Sequence, residues 1–229
     1  MQIEGAVALV TGANRGIGRA FVTELLARGA SKVYAASRSG ADPELPGAVP
    51  LRLDITDPEQ VTAAAEAAPD VTLLIDNAGI STFERLIDGE MSKVRAEFET
   101  NFFGTLSMVR AFAPVLEHNG GGAILNVSSA MAWMGYEHSN AYGASKAAVW
   151  ALSNGLRVEL AEQKTQVTTL IVASTDTDMM AWAHDIEKND PRDVANTALD
   201  GIAAGATEVL ADDASAALKR SLAEPPPAA

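Results

Sequence analysis

The sequence predicts an α/β fold: a doubly wound sheet of about seven mostly parallel strands with helices on both faces. Two observations predict it. Short apolar, often β-branched runs alternate with helical patterns along the chain. A glycine-rich turn also joins the first such run to the first helix. The runs Ala6–Val10, Lys32–Ala36, Val49–Leu53, Val71–Asp76, Ala123–Ser128, Val167–Val172 and Glu208–Ala211 read as strands. Helical stretches begin near Gly16, Pro58, Ser92, Ser139 and Pro191. Two of them open on Asp57-Pro58 and Asp190-Pro191, where Asp caps the helix and Pro suits its first turn. Strict strand–helix alternation requires right-handed crossovers, and hence a parallel sheet covered on both sides.

A chain of 229 residues, 48% hydrophobic and 21% charged, suits a single domain, expected over residues 1–223. The final Glu-Pro-Pro-Pro-Ala-Ala, residues 224–229, cannot continue a helix and reads as a disordered tail. No basic leader or long apolar run is visible, so a cytoplasmic protein is expected. With no cysteine, and with His118, His138 and His184 lacking ligand spacing, no metal is expected. A formal charge of −13 argues against nucleic acid or an anionic membrane as partner, because both need clustered Lys and Arg.

The first strand runs into Thr11-Gly-Ala-Asn-Arg-Gly-Ile-Gly18, followed by a helical pattern at Phe21, Leu25 and Leu26. Gly12, Gly16 and Gly18 let the backbone turn tightly and approach a pyrophosphate, whose charge the helix N-terminus stabilises. The sheet is therefore expected to be Rossmann-like and to bind a dinucleotide. The second strand ends in Ser37-Arg38, with no acidic residue for a ribose diol. Arg38, with Arg15 from the glycine loop, would receive a 2′-phosphate, which favours NADP(H) over NAD(H).

From Ser139 a helical run places Tyr142 and Lys146 four apart on one face. The reference pKa of a phenol is about 10, and a neighbouring ammonium would move it toward neutrality, so Lys146 is expected to activate Tyr142. Ser129, at the end of the fifth strand, would hold the oxygen that Tyr142 protonates.

These residues together resemble the short-chain dehydrogenase/reductase family in its compact, single-domain form, over nearly the whole chain. The resemblance rests on the glycine loop, Asp54 after the third strand, Asn77-Ala-Gly79 after the fourth, Asn101 in Asn-Phe-Phe-Gly-Thr, Ser129 and Tyr142-x-x-x-Lys146. It implies a catalytic tetrad of Asn101, Ser129, Tyr142 and Lys146. Asn101 would break a long helix and hold a water for proton relay through Lys146. The implied cofactor contacts are Gly12, Asn14, Arg15, Gly16, Ile17 and Gly18 of the loop and Ser37 and Arg38 at the sugar. Asp54 and Ile55 would meet the adenine. Asn77, Ala78, Gly79, Tyr142 and Lys146 follow, and Thr177 would bind the nicotinamide carboxamide. The implied reaction is hydride transfer between the nicotinamide and a carbonyl carbon.

The chain departs from the family pattern twice. Asp76 replaces the first Asn of Asn-Asn-Ala-Gly, a change expected to be tolerated. Val172-Ala173-Ser174 stands where a Pro-Gly pair is expected, and Ala there needs negative φ if it is to avoid strain.

Between Ser129 and Tyr142 lie Met131, Trp133, Met134 and Tyr136, and past Thr177 lie Met179, Met180 and Trp182. Their apolar, aromatic character suits a hydrophobic ketone, aldehyde or secondary alcohol as substrate. His138 reads as a wall or surface residue outside catalysis. Thirteen residues separate Thr177 from Pro191, so a short lid and broad substrate tolerance are expected. Apolar residues on more than one face of the long helices near Ser92–Glu117 and Ser139–Glu162, together with the resemblance, imply a homodimer or homotetramer. A 3-oxoacyl-carrier-protein-type reductase would share the tetrad, but its acidic partner needs a basic surface that this chain hardly supplies. A catalytically silent cofactor-sensing module would be expected to show an eroded tetrad.

Overall fold

In the computed structural model, which describes residues 1–225, all seven expected strands form, each within about two residues of its expected limits. They are β1 (Val7–Thr11), β2 (Lys32–Ser37), β3 (Ala48–Arg52), β4 (Leu73–Asp76), β5 (Gly122–Val127), β6 (Thr165–Ile171) and β7 (Glu208–Leu210). They make one parallel sheet in the order β3-β2-β1-β4-β5-β6-β7.

Helices α1 (Gly16–Ala27), α2 (Pro58–Ala67), α3 (Met91–Phe98), α4 (Thr105–His118), α5 (Asn140–Glu159) and α6 (Pro191–Ala203) cover it on both faces. Successive strand residues enter opposite cores. Ala8, Val10, Leu73, Ile75 and Leu125 pack with Phe21 and Leu25 of α1 and Leu199 and Ile202 of α6. Leu9, Leu74 and Ile124 pack with Met108, Phe112 and Leu116 of α4 and Leu156 of α5. Each of these large side chains contributes about 1.5–3 kcal/mol by leaving water.

The expected helix starts at Pro58 and Pro191 are formed as read. The Asp57 side chain accepts from the Glu59 and Gln60 amides, and Asp190 accepts from Arg192. The stretch from Ser92 to Glu117 is not one uniform helix. A π-helical turn, Glu99–Gly104, separates α3 from α4, and Asn101 lies inside it.

A last helix, α7 (Asp213–Ser221), was not expected from sequence. It is short and Leu218 is its only large apolar residue, so no periodic apolar face announces it. Its signals are the Asp212 cap and the basic Lys219 and Arg220 in the last turn. Most of the anticipated tail, residues 226–229, lies outside the described residues. Among the described residues no helix is long and apolar enough to cross a membrane.

Strand order reverses between β1 and β4, and ligands of open α/β sheets bind at such a switch point, beyond the carboxyl ends of the strands. The two strand ends are laced together there. Thr11 Oγ1 accepts from the Asn77 and Ala78 amides, each at 3.0 Å, and Asn77 Nδ2 donates to the Thr11 carbonyl at 2.9 Å.

Candidate active site

The glycine loop has the geometry a phosphate cradle needs. Gly12 (φ +67°) and Gly16 (φ +53°) occupy the left-handed region, where a side chain costs energy. A Cβ on Gly18 would collide with the Gly12 carbonyl oxygen, so α1 can start this close to β1 only with glycine. Arg15 precedes α1 without a side-chain cap, and the first turn carries no acidic residue, which leaves the helix N-terminus free to meet an anion. Asn14 and Ile17 lie in the same loop. These features fit a dinucleotide pyrophosphate.

At the sugar end, Ser37 is buried at the tip of β2 and Arg38 beyond it is exposed, with no ion pair among the described residues. Arg15 is held elsewhere: its guanidinium meets Asp178 at 2.9 Å, just past Thr177. Both partners are well exposed, so the pair is worth under about 1 kcal/mol and yields readily to a phosphate. Asp54 accepts from both the amide and the hydroxyl of Thr56, while the Ile55 side chain turns into the core.

Lys146, Asn101 and Gly79 converge on one point. A Cβ on Gly79 would sit 3.1 Å from Asn101 Oδ1 and 3.3 Å from Lys146 Nζ, so this glycine admits both side chains against the backbone. Lys146 is 4% exposed and donates to the Val127 carbonyl at 2.8 Å. Asn101 is fully buried. It accepts from the Ile80 amide at 2.9 Å and donates to the Ile80 carbonyl at 3.0 Å and to Ser145 Oγ at 2.8 Å. Ser145 Oγ in turn donates to the Tyr142 carbonyl at 2.7 Å, which ties the π turn to α5.

Ser129 opens a 3₁₀ turn, Ala130–Ala132, that packs tightly on α5: a Cβ on Gly143 would lie 2.7 Å from the Met131 carbonyl. The fit sets Ser129 close enough to the Tyr142 phenol to influence its titration, while the Ser129 hydroxyl itself accepts from the Met131 amide at 3.2 Å.

The titration of this group differs from expectation. Burial pushes the Tyr142 phenol up to about 12, the neighbouring Ser129 offsets part of this, and the nearby Glu97 carboxyl adds to the rise. Lys146 does not pull it down. Its ammonium lies 5.8 Å from the ring centroid, engaged with Val127, and burial lowers its own pKa to about 8. Desolvation favours the neutral phenol, the form that can give up a proton.

Thr177 packs against Gly16: a Cβ on Gly16 would be 2.9 Å from Thr177 Cγ2. The departure at Val172-Ala173-Ser174 carries no strain, because the non-glycine residues with positive φ are Glu44, Phe83, His138 and Lys164. Met131 and Met179 are half-buried and Tyr136 is exposed. Trp182 meets Phe83 edge-on at 5.6 Å, an aromatic pair joining the lid to the loop after β4. A cleft of about 320 Å³ opens between Arg85–Ile87 and Gly135–Asn140, and Tyr136 and His138 line it. Trp133 instead stacks edge-on with Trp150 at 6.2 Å under the Lys219 ammonium, which lies 4.8 Å from its ring.

One buried carboxyl group, Glu97, went unread in the sequence, and the burial of Asp76 was not anticipated. Glu97, one turn before Asn101 and so on the same helix face, accepts from the Thr82 amide at 2.5 Å and from its hydroxyl at 2.8 Å. Asp76 is buried with neither oxygen partnered, and desolvation raises its pKa well above the usual carboxylate range.

A doubly wound sheet with a phosphate cradle at its switch point and a Ser/Tyr/Lys group beside it defines a dinucleotide-dependent oxidoreductase. The family model for short chain dehydrogenases matches residues 6–188, and the chain belongs to that family. It is 34% identical to the D-erythrulose reductase of Gallus gallus over 191 residues, 80% of this chain and 77% of that protein. It is 32% identical to a 3-oxoacyl-[acyl-carrier-protein] reductase of Vibrio cholerae, over 86% of this chain and 89% of that one. A short chain dehydrogenase of Burkholderia cenocepacia, solved in complex with NADP, superposes with a TM-score of 0.93 at 40% identity, covering 97% of this chain and 94% of that chain. As a member of the family, the protein is an oxidoreductase that uses a nicotinamide cofactor on small molecules bearing CH-OH or C=O groups.

Proposed function

We propose that the protein is an NADP(H)-dependent carbonyl reductase and alcohol dehydrogenase acting on fairly hydrophobic ketones, aldehydes and secondary alcohols. The observation that carries this reading is the convergence of Asn101 and Lys146 on Gly79, beside Ser129 and Tyr142 and next to the glycine loop. When bound, the nicotinamide supplies the hydride for the carbonyl carbon. Ser129 holds the carbonyl oxygen and Tyr142 gives it the phenolic proton, so the C=O π bond becomes C–H and O–H bonds. Lys146, with a water at Asn101, would return the proton from solvent to Tyr142. Gly12, Gly16 and Gly18 with the α1 N-terminus hold the pyrophosphate, Arg38 and a released Arg15 the 2′-phosphate, and Thr177 the carboxamide. A homodimer or homotetramer fits the exposed Phe103 and Val158.

The NADP complex of the Burkholderia cenocepacia relative supports the cofactor preference, and the chicken reductase supports a small carbonyl substrate. The Vibrio cholerae relative favours a 3-oxoacyl thioester as the second reading, against which the −13 charge weighs. The test follows NADPH and NADH oxidation in parallel against ketones, aldehydes and 3-oxoacyl thioesters. Reduction of the first two with NADPH preferred is the expected result. Equal use of NADH would remove the role given to Arg15 and Arg38, and no turnover on any carbonyl would point to a sensing module.

A further inference from the structure

The first residue of the α7 cap does more than start a helix. Asp212 Oδ1 accepts from the Ser215 amide at 2.7 Å, the usual capping bond. Its other oxygen, Oδ2, leaves the helix and accepts from the Ala173 amide at 2.9 Å and from Asn189 Nδ2 at 3.0 Å. Asn189 completes the arrangement. Its amide and its Nδ2 both donate to the Ser174 carbonyl, at 2.9 and 3.0 Å, and its own carbonyl accepts from the Asp176 amide at 3.0 Å. Residues 174–188 therefore leave and re-enter the body of the protein at one neck, closed by Asn189 and fastened by Asp212. Thr177, Met179 and Trp182 lie on the loop beyond that neck.

The chemistry of position 212 is specific. A cap alone is satisfied by Ser, Thr or Asn. Two further N–H donors facing one oxygen require an acceptor on both sides of the group, which a carboxylate has and an amide lacks. The same bond to Ala173 secures the backbone where the family's Pro-Gly pair is missing. Outside the neck, the loop meets the glycine loop through the Thr177–Gly16 packing and the exposed Arg15–Asp178 pair.

We propose that Asp212 is a positioning residue: through Ala173 and Asn189 it fixes the neck of the 174–188 loop and so sets Thr177 against the glycine loop. The functional half of this statement rests on the reading of Thr177 as a nicotinamide contact; the structural half does not.

Asp212→Asn tests it, because the variant keeps Oδ1 for the cap and turns an NH₂ toward two donors. Chymotrypsin cleavage after Trp182 in the cofactor-free protein is expected to speed up by about tenfold or more, from the loss of two bonds to a charged acceptor. The KM for NADPH is expected to rise about tenfold, while kcat at saturation changes less than about threefold. Asn189→Ala should do the same by another route. Ala214→Gly weakens α7 without touching the neck and should leave cleavage after Trp182 unchanged. Unaltered cleavage in Asp212→Asn, or equal acceleration in Ala214→Gly, would overturn the lock whatever the activity. Faster cleavage with an unchanged KM for NADPH would overturn the positioning role and leave the enzyme reading standing.

Discussion

Replacing Lys146 with Met should stabilise the protein at neutral pH relative to high pH while ending its activity. The ammonium is buried, and desolvation lowers its pKa from 10.5 to about 8. At 1.36 kcal/mol per pKa unit, that displacement means that holding the charge in the fold costs about 3 kcal/mol. Against this stands the bond to the Val127 carbonyl, worth about 1–2 kcal/mol. Lys146→Met is thus expected to be about 1–2 kcal/mol more stable than the parent at pH 7. The sign with pH follows from proton counts. Between pH 8 and 10.5 the unfolded chain keeps the lysine proton and the folded protein has released it, so parental stability rises with pH across this window. Near pH 10.5 the order should reverse, a swing of about 3 kcal/mol in the difference. Urea unfolding of both proteins at pH 7, 9 and 10.5 measures it. A difference independent of pH, or one that moves in the opposite direction, would refute the assignment of a desolvated, proton-losing Lys146.

Other expectations concern the framework around the site. Asp76→Asn should raise the urea midpoint more at pH 8 than at pH 5: a carboxyl with a raised folded pKa loses stability as pH climbs above its unfolded pKa, and an amide escapes this. Gly18→Ala should cost at least about 1–3 kcal/mol and abolish NADPH binding in a fluorescence titration, since its Cβ collides with the Gly12 carbonyl. Lys219→Met should destabilise by about 1–2 kcal/mol, through loss of contact with the Trp133 and Trp150 rings and with Glu208, and should shift tryptophan emission.

The inner strands were legible in the sequence because they are buried on both faces, which leaves unbroken apolar runs such as Ala123-Ile-Leu. Gly12, Gly16 and Gly18 were legible because their backbone needs admit few other residues, and Tyr142 and Lys146 because one helical turn separates them. Three things were hidden. The Tyr142–Lys146 spacing suggested attraction, and only burial reveals that desolvation wins for both groups. Glu97 and Asp76 sit in patterns that look like ordinary surface and strand-end residues, and nothing local says that Glu97 turns inward to Thr82. The Asp212–Asn189 contact joins residues 23 apart across a helix and a strand, so no short motif encodes it.

The most direct measurement is turnover by Tyr142→Phe alongside its affinity for NADPH. On the proposed reading kcat/KM falls by about 10²–10⁴ or more with NADPH binding nearly intact, because the phenol would give the proton while Lys146 and the glycine loop would hold the cofactor. Undiminished carbonyl reduction by the variant would contradict it.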